Sequence, residues 1–398
     1  MKYLVFSTCG IWQVPAIVEA KKIGLITIAV DANPNAEGFK HADFCIVSEL
    51  DRRFEILNEI KSITKNIIGA ISYCSDAGMY LAEFLNNEFK CSSSTIINSL
   101  LFTNKFEQRN IWSEFGILQP KYNLVSSFKE ALKAIDLLNL PVVIKPTDSS
   151  GSRGVSILNS SKDIQSAFNL AMGVSRSKLI MMEEFMMGTE YTVEVFAHNN
   201  KIVPLVVTRK EKIEQNFGTV AAALWTVSPY ERNYDLIEKL GVDAFSALGL
   251  NNGPGHLELI ADENNIPVGV VEAAGRGGGF NLASELIQKA TGFNFIENSI
   301  AVYTGIEDLC ENVNLVYRPS VLFFFPSQNG KLVNIEGLEI VDNIEDVSVC
   351  LLAQPGMYFS KAQTDGDRLC TITISADTDI ELIQKYNLIK STLKFIFE

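Results

Sequence analysis

The chain is poor in the residues that build metal and nucleophile sites. It has three histidines in 398 residues, and its seven cysteines (Cys9, Cys45, Cys74, Cys91, Cys310, Cys350 and Cys370) include no CxxC pair. A zinc centre is therefore not expected. An odd, scattered set of cysteines in apolar surroundings points to reduced thiols and a cytoplasmic protein. No convincing Ser/His/Asp or Cys/His set appears, so covalent nucleophilic catalysis has no carrier. No apolar run approaches the roughly 18 residues of a membrane helix, and no membrane partner is expected. The first residues, MKYLVFSTCG, lack a small-residue cleavage site and read as a buried strand, not a signal peptide. Basic residues number 34 against 47 acidic ones, a net charge of −13, with no arginine cluster or basic stripe. Nucleic acid is excluded as a partner on that ground.

What is present is an ordinary globular composition, 47% hydrophobic and 20% charged, on a chain long enough for two or three domains. The first hundred residues alternate strand and helix. Tyr3–Phe6, Ile26–Val30, Phe44–Val47 and Ile67–Ile71 read as buried strands, Trp12–Ile23 and Met79–Asn86 as helices. Such βα repetition implies a parallel sheet covered by helices. The first strand-to-helix turn holds one glycine, Gly10, where a dinucleotide fingerprint needs GxGxxG. A dehydrogenase is disfavoured. Phe106–Phe115 reads as a helix. Ser127 with Glu130 forms a capping box that opens a helix to Leu138. Gly116 to about Glu184 reads as a small α+β unit that includes a helix over Lys162–Met172. Beyond it come hairpins, Tyr191–Phe196 with Ile202–Val207 and Leu257–Ile260 with Val268–Ala273. Helices are expected at Tyr230–Leu248 and Leu282–Thr291. Short strands at Val321–Phe325 and Cys370–Ser375 precede a terminal helix, Ile380–Phe397.

The stretch Val142–Leu158, VVIKPTDSSGSRGVSIL, carries the most chemistry. Lys145 ends an apolar run, a loop of Ser, Gly and Arg follows, and Val155–Leu158 alternates like a second strand. A lysine aimed at an NH-rich loop handles phosphate. A Walker loop leads into a helix; this one leads into a strand, so it reads as a flap over a nucleotide. The flap is expected to be mobile, with Arg153 at its tip, and to order when nucleotide binds.

The hairpin near residue 265 gives a geometric expectation. With the turn centred on Asn265, Glu258 lies directly opposite Glu272, and paired Cβ atoms are roughly 5 Å apart. Two carboxylates so placed suit Mg²⁺ shared with substrate phosphates, or else are unrelated glutamates on an exposed face. Leu257, Leu259 and Val271 are assigned to the apolar opposite face. Arg276 follows Glu272 by four residues and precedes three glycines, an arrangement that suits a carboxylate or phosphate. Met181–Glu194, MMEEFMMGTEYTVE, reads as strand, bend and strand, able to present backbone groups to an adenine edge. His256 is either a substrate-orienting group or a satisfied core residue. Thr208, Arg209, Lys210 and Trp225 are either pocket-side residues or ordinary strand residues.

The order of these parts is more specific than any of them. Lys105 before a helix, Lys145 with its loop, EEFxxGxE, HxE and ExxxR with glycines together resemble the ATP-grasp superfamily, in particular its carboxylate–amine ligases. The resemblance spans roughly residues 1–310 and includes VDANP from Val30, HAD at His41–Asp43 and CSD at Cys74–Asp76. It implies an α/β and α+β architecture: a Rossmann-like parallel-sheet domain over residues 1–100, and an ATP-grasp domain over 101–310. Within the latter a lid spans about 116–184 and the larger part is an antiparallel sheet. An α+β subdomain over 311–398 completes the chain.

By position, the resemblance implies that Lys105 and Lys145 contact nucleotide phosphates and that Ser149, Ser150, Gly151, Ser152 and Gly154 form the flap. It implies Glu183, Glu184, Phe185 and Met186 at the adenine, Glu190 at the ribose, and Glu258 and Glu272 on Mg²⁺ or Mn²⁺. Arg276 would bind the substrate carboxylate, or the phosphate developing on it. Many members read ExNxR where this chain has Glu272, Ala273, Ala274, Gly275 and Arg276, so Ala274 removes one ligand. The form ExxxR with glycines looks more like the dipeptide-forming amino-acid ligases than like biotin carboxylase. The activity implied is ATP-dependent coupling of a small-molecule carboxylate to an amine through an acyl phosphate, with ADP released, and family habit implies a homodimer. A bicarbonate-activating carboxylase and a non-catalytic ATP sensor are the alternatives.

Overall fold

The structure, a computed structural model, describes residues 1–91, 98–214, 219–306 and 315–398. Cys310 lies outside them. The other cysteines are free thiols, and no described helix is long and apolar enough to cross a membrane.

Strands β1 (Tyr3–Phe6), β2 (Ile26–Asp31), β3 (Phe44–Val47) and β4 (Ile67–Ile71) form a parallel sheet in the order β3-β2-β1-β4. The apolar residues of β1, β2 and β4 are buried on both faces by the helices Val14–Lys22, Arg53–Ile63 and Met79–Phe89, whereas β3, expected to be buried, is an edge strand that buries only Ile46 and leaves Phe44, Cys45 and Val47 exposed. That double burial is why β1, β2 and β4 read as near-continuous apolar runs. Strand order reverses between β1 and β4, so the loops after them, at Ser7–Gly10 and Ser72–Asp76, meet at one carboxyl edge.

The next unit is a sheet of β5 (Tyr122–Val125), β6 (Val142–Pro146), β7 (Ser156–Leu158) and β8 (Ile180–Glu184), ordered β5-β8-β6-β7. Helices Phe128–Leu138 and Ile164–Val174 cover one face of it. Ser127 caps the first of these: its hydroxyl accepts from the Glu130 amide, and the Glu130 carboxylate accepts from the Ser126 amide and hydroxyl. β6 and β7 are antiparallel partners, so the glycine loop does join two strands.

The remaining strands are β9 (Thr189–His198), β10 (Lys201–Glu214), β11 (Thr219–Thr226), β12 (Gly253–Ala261), β13 (Pro267–Ala274), β14 (Ser320–Pro326), β15 (Gly330–Glu336), β16 (Val347–Leu351), β17 (Tyr358–Phe359), β18 (Arg368–Ser375) and β19 (Lys394–Phe397). Eight of them form one sheet, ordered β13-β12-β9-β10-β11-β14-β18-β16, and β17-β15-β19 form another. The C-terminal strands β14, β16 and β18 therefore extend the large sheet through the β11–β14 pairing.

Some expectations are corrected. The terminal helix stops at Thr392, and Lys394–Phe397 is a strand paired with β15. Phe395 and Phe397 pack there on Phe325 and Phe359, which outweighs the helical pattern. The helix after Tyr230 begins only at Tyr234. Leu282–Leu286 is a π turn ahead of a short α-helix, Ile287–Thr291. The glycine loop itself touches the rest of the protein: Lys105 Nζ donates to Ser149 O at 2.6 Å, and the Ser152 hydroxyl to Asp365 at 2.9 Å.

Candidate active site

A cavity of about 650 Å³ lies between the small sheet, the glycine loop and the large sheet. It is lined by Lys105, Lys145, the loop from Ser149 to Gly154, the connector Glu183–Met186, Glu190, Glu258 and Glu272. Lys105 and Glu272, 167 positions apart in the chain, thus share one chamber. The structure adds Lys210, Lys212, Ile260, Val271 and Gln363–Asp365 to the lining.

Lys145 projects from β6, and Glu183 on β8 is directly opposite Val143 on the same face, so it is the diagonal neighbour of Lys145. One Glu183 oxygen meets Lys145 Nζ at 2.6 Å, and the other accepts from Arg109 Nε at 2.7 Å. Lys145 is 4% exposed, Glu183 3% and Arg109 0%. Burial alone would raise the Glu183 carboxyl, but the two cations outweigh it and hold the group below its ordinary range. Burial pushes the Lys145 ammonium below its ordinary value, reinforced by Arg109 and Lys105, against the pull of Glu183. The Glu183 side chain is thus an anchor under Lys145, with both oxygens taken. Arg109 was missed because it reads as one polar residue in an amphipathic helix. Its partners, Glu183 and the Val271 carbonyl (2.8 Å), lie 74 and 162 residues away.

Lys105 is the first residue of the helix Lys105–Glu114, which Asn104 caps by accepting from the Phe106 and Glu107 amides. Its Nζ reaches Glu272 at 2.5 Å as well as the loop carbonyl of Ser149. Burial opposes the charge, and Glu272 outweighs it, so the ammonium is held above its ordinary value. The hydroxyls of Ser149 and Ser156 line the cavity, buried and without a hydrogen-bond partner in the protein. Buried polar atoms of this kind mark a place for a polar ligand.

Glu258 and Glu272 are direct partners on β12 and β13. The route to that pairing differs from a turn centred on Asn265. Ala261 faces Pro267, which centres the hairpin on residue 264. Two one-residue bulges on β13, at Val268 and Val271, then restore the register before Glu258. The bulge turns Val271 into the cavity wall, whereas Leu257 and Leu259 stay in the core. It also leaves the Val271 carbonyl free for Arg109.

Lys210 on β10 bridges Glu258 (2.6 Å) and Glu190, and Lys212 also pairs with Glu190. Glu190 is therefore held by two lysines. Lys210 and Glu258 hold each other charged against the cost of burial. His256 Nδ1 lies 2.5 Å from buried Glu194, and its Nε2 3.8 Å from Glu258. Burial would lower the imidazole, yet Glu194 and Glu258 lift it to about 9. Arg209 instead faces Glu231, and Trp225 packs on Tyr386, both away from the cavity.

Arg276 lies outside the cavity lining. Its Nε and Nη2 form a fork on Asp76, at 2.8 and 3.0 Å. The adjacent Gly277 amide donates to Tyr73 O at 3.0 Å. Arg276 thus meets the carboxyl edge of the parallel sheet where the strand order reverses, a place where α/β sheets take ligands.

Among the described residues, no group of three or more His, Cys, Asp or Glu side chains could hold a metal. Two opposed carboxylates on a cavity lined by Lys105 and Lys145 nevertheless fit Mg²⁺, which takes one or two carboxylates and completes its shell from phosphate and water.

Residues 138–284 match the family of ATP-grasp domains. The D-alanine–D-alanine ligase of Buchnera aphidicola is 27% identical over 197 residues, 46% of this chain and 62% of that one. The chain thus matches less than two thirds of that relative's length. The formate-dependent phosphoribosylglycinamide formyltransferase of Prochlorococcus marinus is 22% identical over 378 residues, 93% of this chain and 90% of its own. In fold, the chain is similar to the L-amino acid ligase of Bacillus licheniformis, with a TM-score of 0.84 over 100% of this chain and 99% of that one, at 19% identity.

Proposed function

We propose, from the premise that residues 138–284 are an ATP-grasp domain, that the chain is an ADP-forming ligase joining a small-molecule carboxylate to an amine such as an amino acid. The observation that carries this reading is one cavity that combines Lys105, Lys145, an overlying glycine loop and the opposed pair Glu258 and Glu272.

A carboxylate oxygen of the acid attacks the γ-phosphorus of ATP, and the bond to the β-phosphate oxygen breaks. An acyl phosphate and ADP result. The amine then attacks the acyl carbon, phosphate departs with the bonding pair, and the nitrogen loses a proton to solvent. Such transfer is mostly positioning and charge neutralisation. Lys105 and Lys145 hold phosphate oxygens, and residues 149–154 cover them and exclude water. The connector 183–186 would present backbone to the base, and Glu190 would bond the ribose hydroxyls. Glu258 and Glu272 would hold Mg²⁺ or Mn²⁺, which when bound offsets phosphate charge. Arg276, on the side facing the parallel sheet, orients the acid.

The test is ADP release from ATP and Mg²⁺ against a panel of amino acids, with products identified by mass spectrometry. ADP that depends on an amine, with an amide product, supports the ligase. ADP that depends on bicarbonate alone, or tight ATP binding with no ADP under any condition, overturns it.

A further inference from the structure

The C-terminal part of the chain enters the cavity at one turn, residues 363–367. Asp367 holds this turn by accepting from the Gln363 and Thr364 amides and the Thr364 hydroxyl, at 2.8–3.0 Å. Asp365 is thereby presented to three donors, two of them from distant parts of the chain. Its Oδ2 accepts from the Ser152 hydroxyl at the flap tip (2.9 Å). Its Oδ1 accepts from the Ala221 amide of β11 (2.9 Å) and from Arg368 Nη2 (3.1 Å). Arg368 is 5% exposed, and its guanidinium carbon lies 4.0 Å from the Phe280 ring centroid and 3.4 Å from that of Phe324. Phe280 follows the glycines after Arg276 and packs on Trp12.

We infer that Asp365 is a positioning residue, the latch that holds the flap closed over the cavity, and that Arg368 is its fixed anchor. The Ser152 hydroxyl is the moving half, because it is the flap's side-chain contact with this turn. Asp365 and Arg368 form the stationary half, since a carboxylate bound to a sheet amide and a buried guanidinium has no freedom to follow the loop. Closing the flap on Asp365 ties it, through Arg368 and Phe280, to the segment that carries Arg276. The inference rests on the ligase reading only in taking the covered ligand to be a nucleotide.

Arg153 sits beside Ser152, exposed, and provides the readout, because a protease must draw the surrounding loop out extended, so trypsin is expected to cut after it faster when the flap opens. Cleavage of the full chain at Arg153 then tracks the open population. Without nucleotide, Ser152→Ala and Asp365→Ala are each expected to be cut on the order of fivefold faster than the parent, the size of one lost hydrogen bond. The double variant is expected to be cut no faster than the faster single one. Ser152 has a left-handed backbone, φ +60°, which strains serine and alanine alike through their common Cβ, so Ser152→Ala removes the hydroxyl without adding backbone strain. Ser152→Ala should also keep its melting temperature, which separates flap opening from unfolding. Parental cleavage rates in Ser152→Ala, or effects that multiply in the double variant, overturn the latch. A failure to bind ATP would overturn the ligase reading and leave the cleavage result to decide the latch by itself.

Discussion

Glu258 and Glu272 face each other directly across β12 and β13, and each is matched by a lysine from a different element, Lys210 and Lys105. The lysines neutralise a carboxylate pair that would otherwise repel. They are also the cations a triphosphate would draw away, which frees both glutamates for a metal. Glu272→Gln is therefore expected to lower ADP formation on the order of a hundredfold, with the folded state retained because Lys105 keeps the Ser149 carbonyl. Steady-state ADP release with Mg²⁺ and then Mn²⁺ checks it. Unchanged turnover would mean that the pair does not serve the phosphates.

Removing the divalent ion is the matching experiment on the ligand side. Two carboxylates cannot complete a Mg²⁺ shell, so the ion should bind firmly only with ATP. Titration calorimetry is expected to show little Mg²⁺ binding to the protein alone and clear binding with ATP. Chelation should stop ADP release without changing the melting temperature. Tight Mg²⁺ binding in the absence of ATP would contradict the two-carboxylate site.

Lys145→Ala should weaken ATP binding about tenfold or more, the scale of a lost charged hydrogen bond. Glu183 keeps Arg109 as its partner in that variant, so folding should survive. Isothermal titration with ATP gives the answer, and parental affinity would remove Lys145 from the phosphate site.

Glu183→Gln should act on stability. It leaves Arg109 and Lys145 buried with less counter-charge, a loss of ~3–5 kcal/mol. The sign with pH follows from the direction of its shift. Arg109 and Lys145 overcome burial and depress the folded-state value. The contribution is therefore present above the unfolded value of about 4.3, and is lost as pH falls through the lower folded value. Urea unfolding between neutral and acid pH should show a flatter acid limb in Glu183→Gln. A parallel acid limb would contradict the trio.

Arg276→Lys keeps the charge and loses the fork on Asp76. The join to the N-terminal sheet should weaken by about 1–3 kcal/mol. Catalytic efficiency toward the acid should fall while ATP affinity stays. Equal losses for acid and ATP would place Arg276 in a purely structural role.

Much of the site was legible because its signals are local. Lys145, its glycine loop and the following strand occupy one stretch of chain, and β6 and β7 pair as the alternation after Gly154 suggests. Ser127 and Glu130 sit three residues apart, and their cap formed as the spacing implies. The pairing of Glu258 with Glu272 was also legible, although the turn is centred one residue earlier and two bulges make up the difference. Bulges leave no short-range mark, so Val271 was placed on the wrong face.

The sequence by itself determined which residue types lie on which strands, and so the kind of chemistry available: lysines on a strand and a helix start, a flexible roof, paired carboxylates. It did so because strand alternation and helix capping are set by neighbours a few positions away. Only the tertiary structure decided who neutralises whom. Arg109 with Glu183, Lys210 with Glu258 and Glu190, Arg276 with Asp76, and Asp365 with Ser152 are separated by 20 to 213 positions. The same holds for Lys394–Phe397, a strand because β15 offers it an edge and aromatic partners. A buried charge takes whichever opposite charge the topology brings within about 3 Å, and no spacing along the chain encodes that distance.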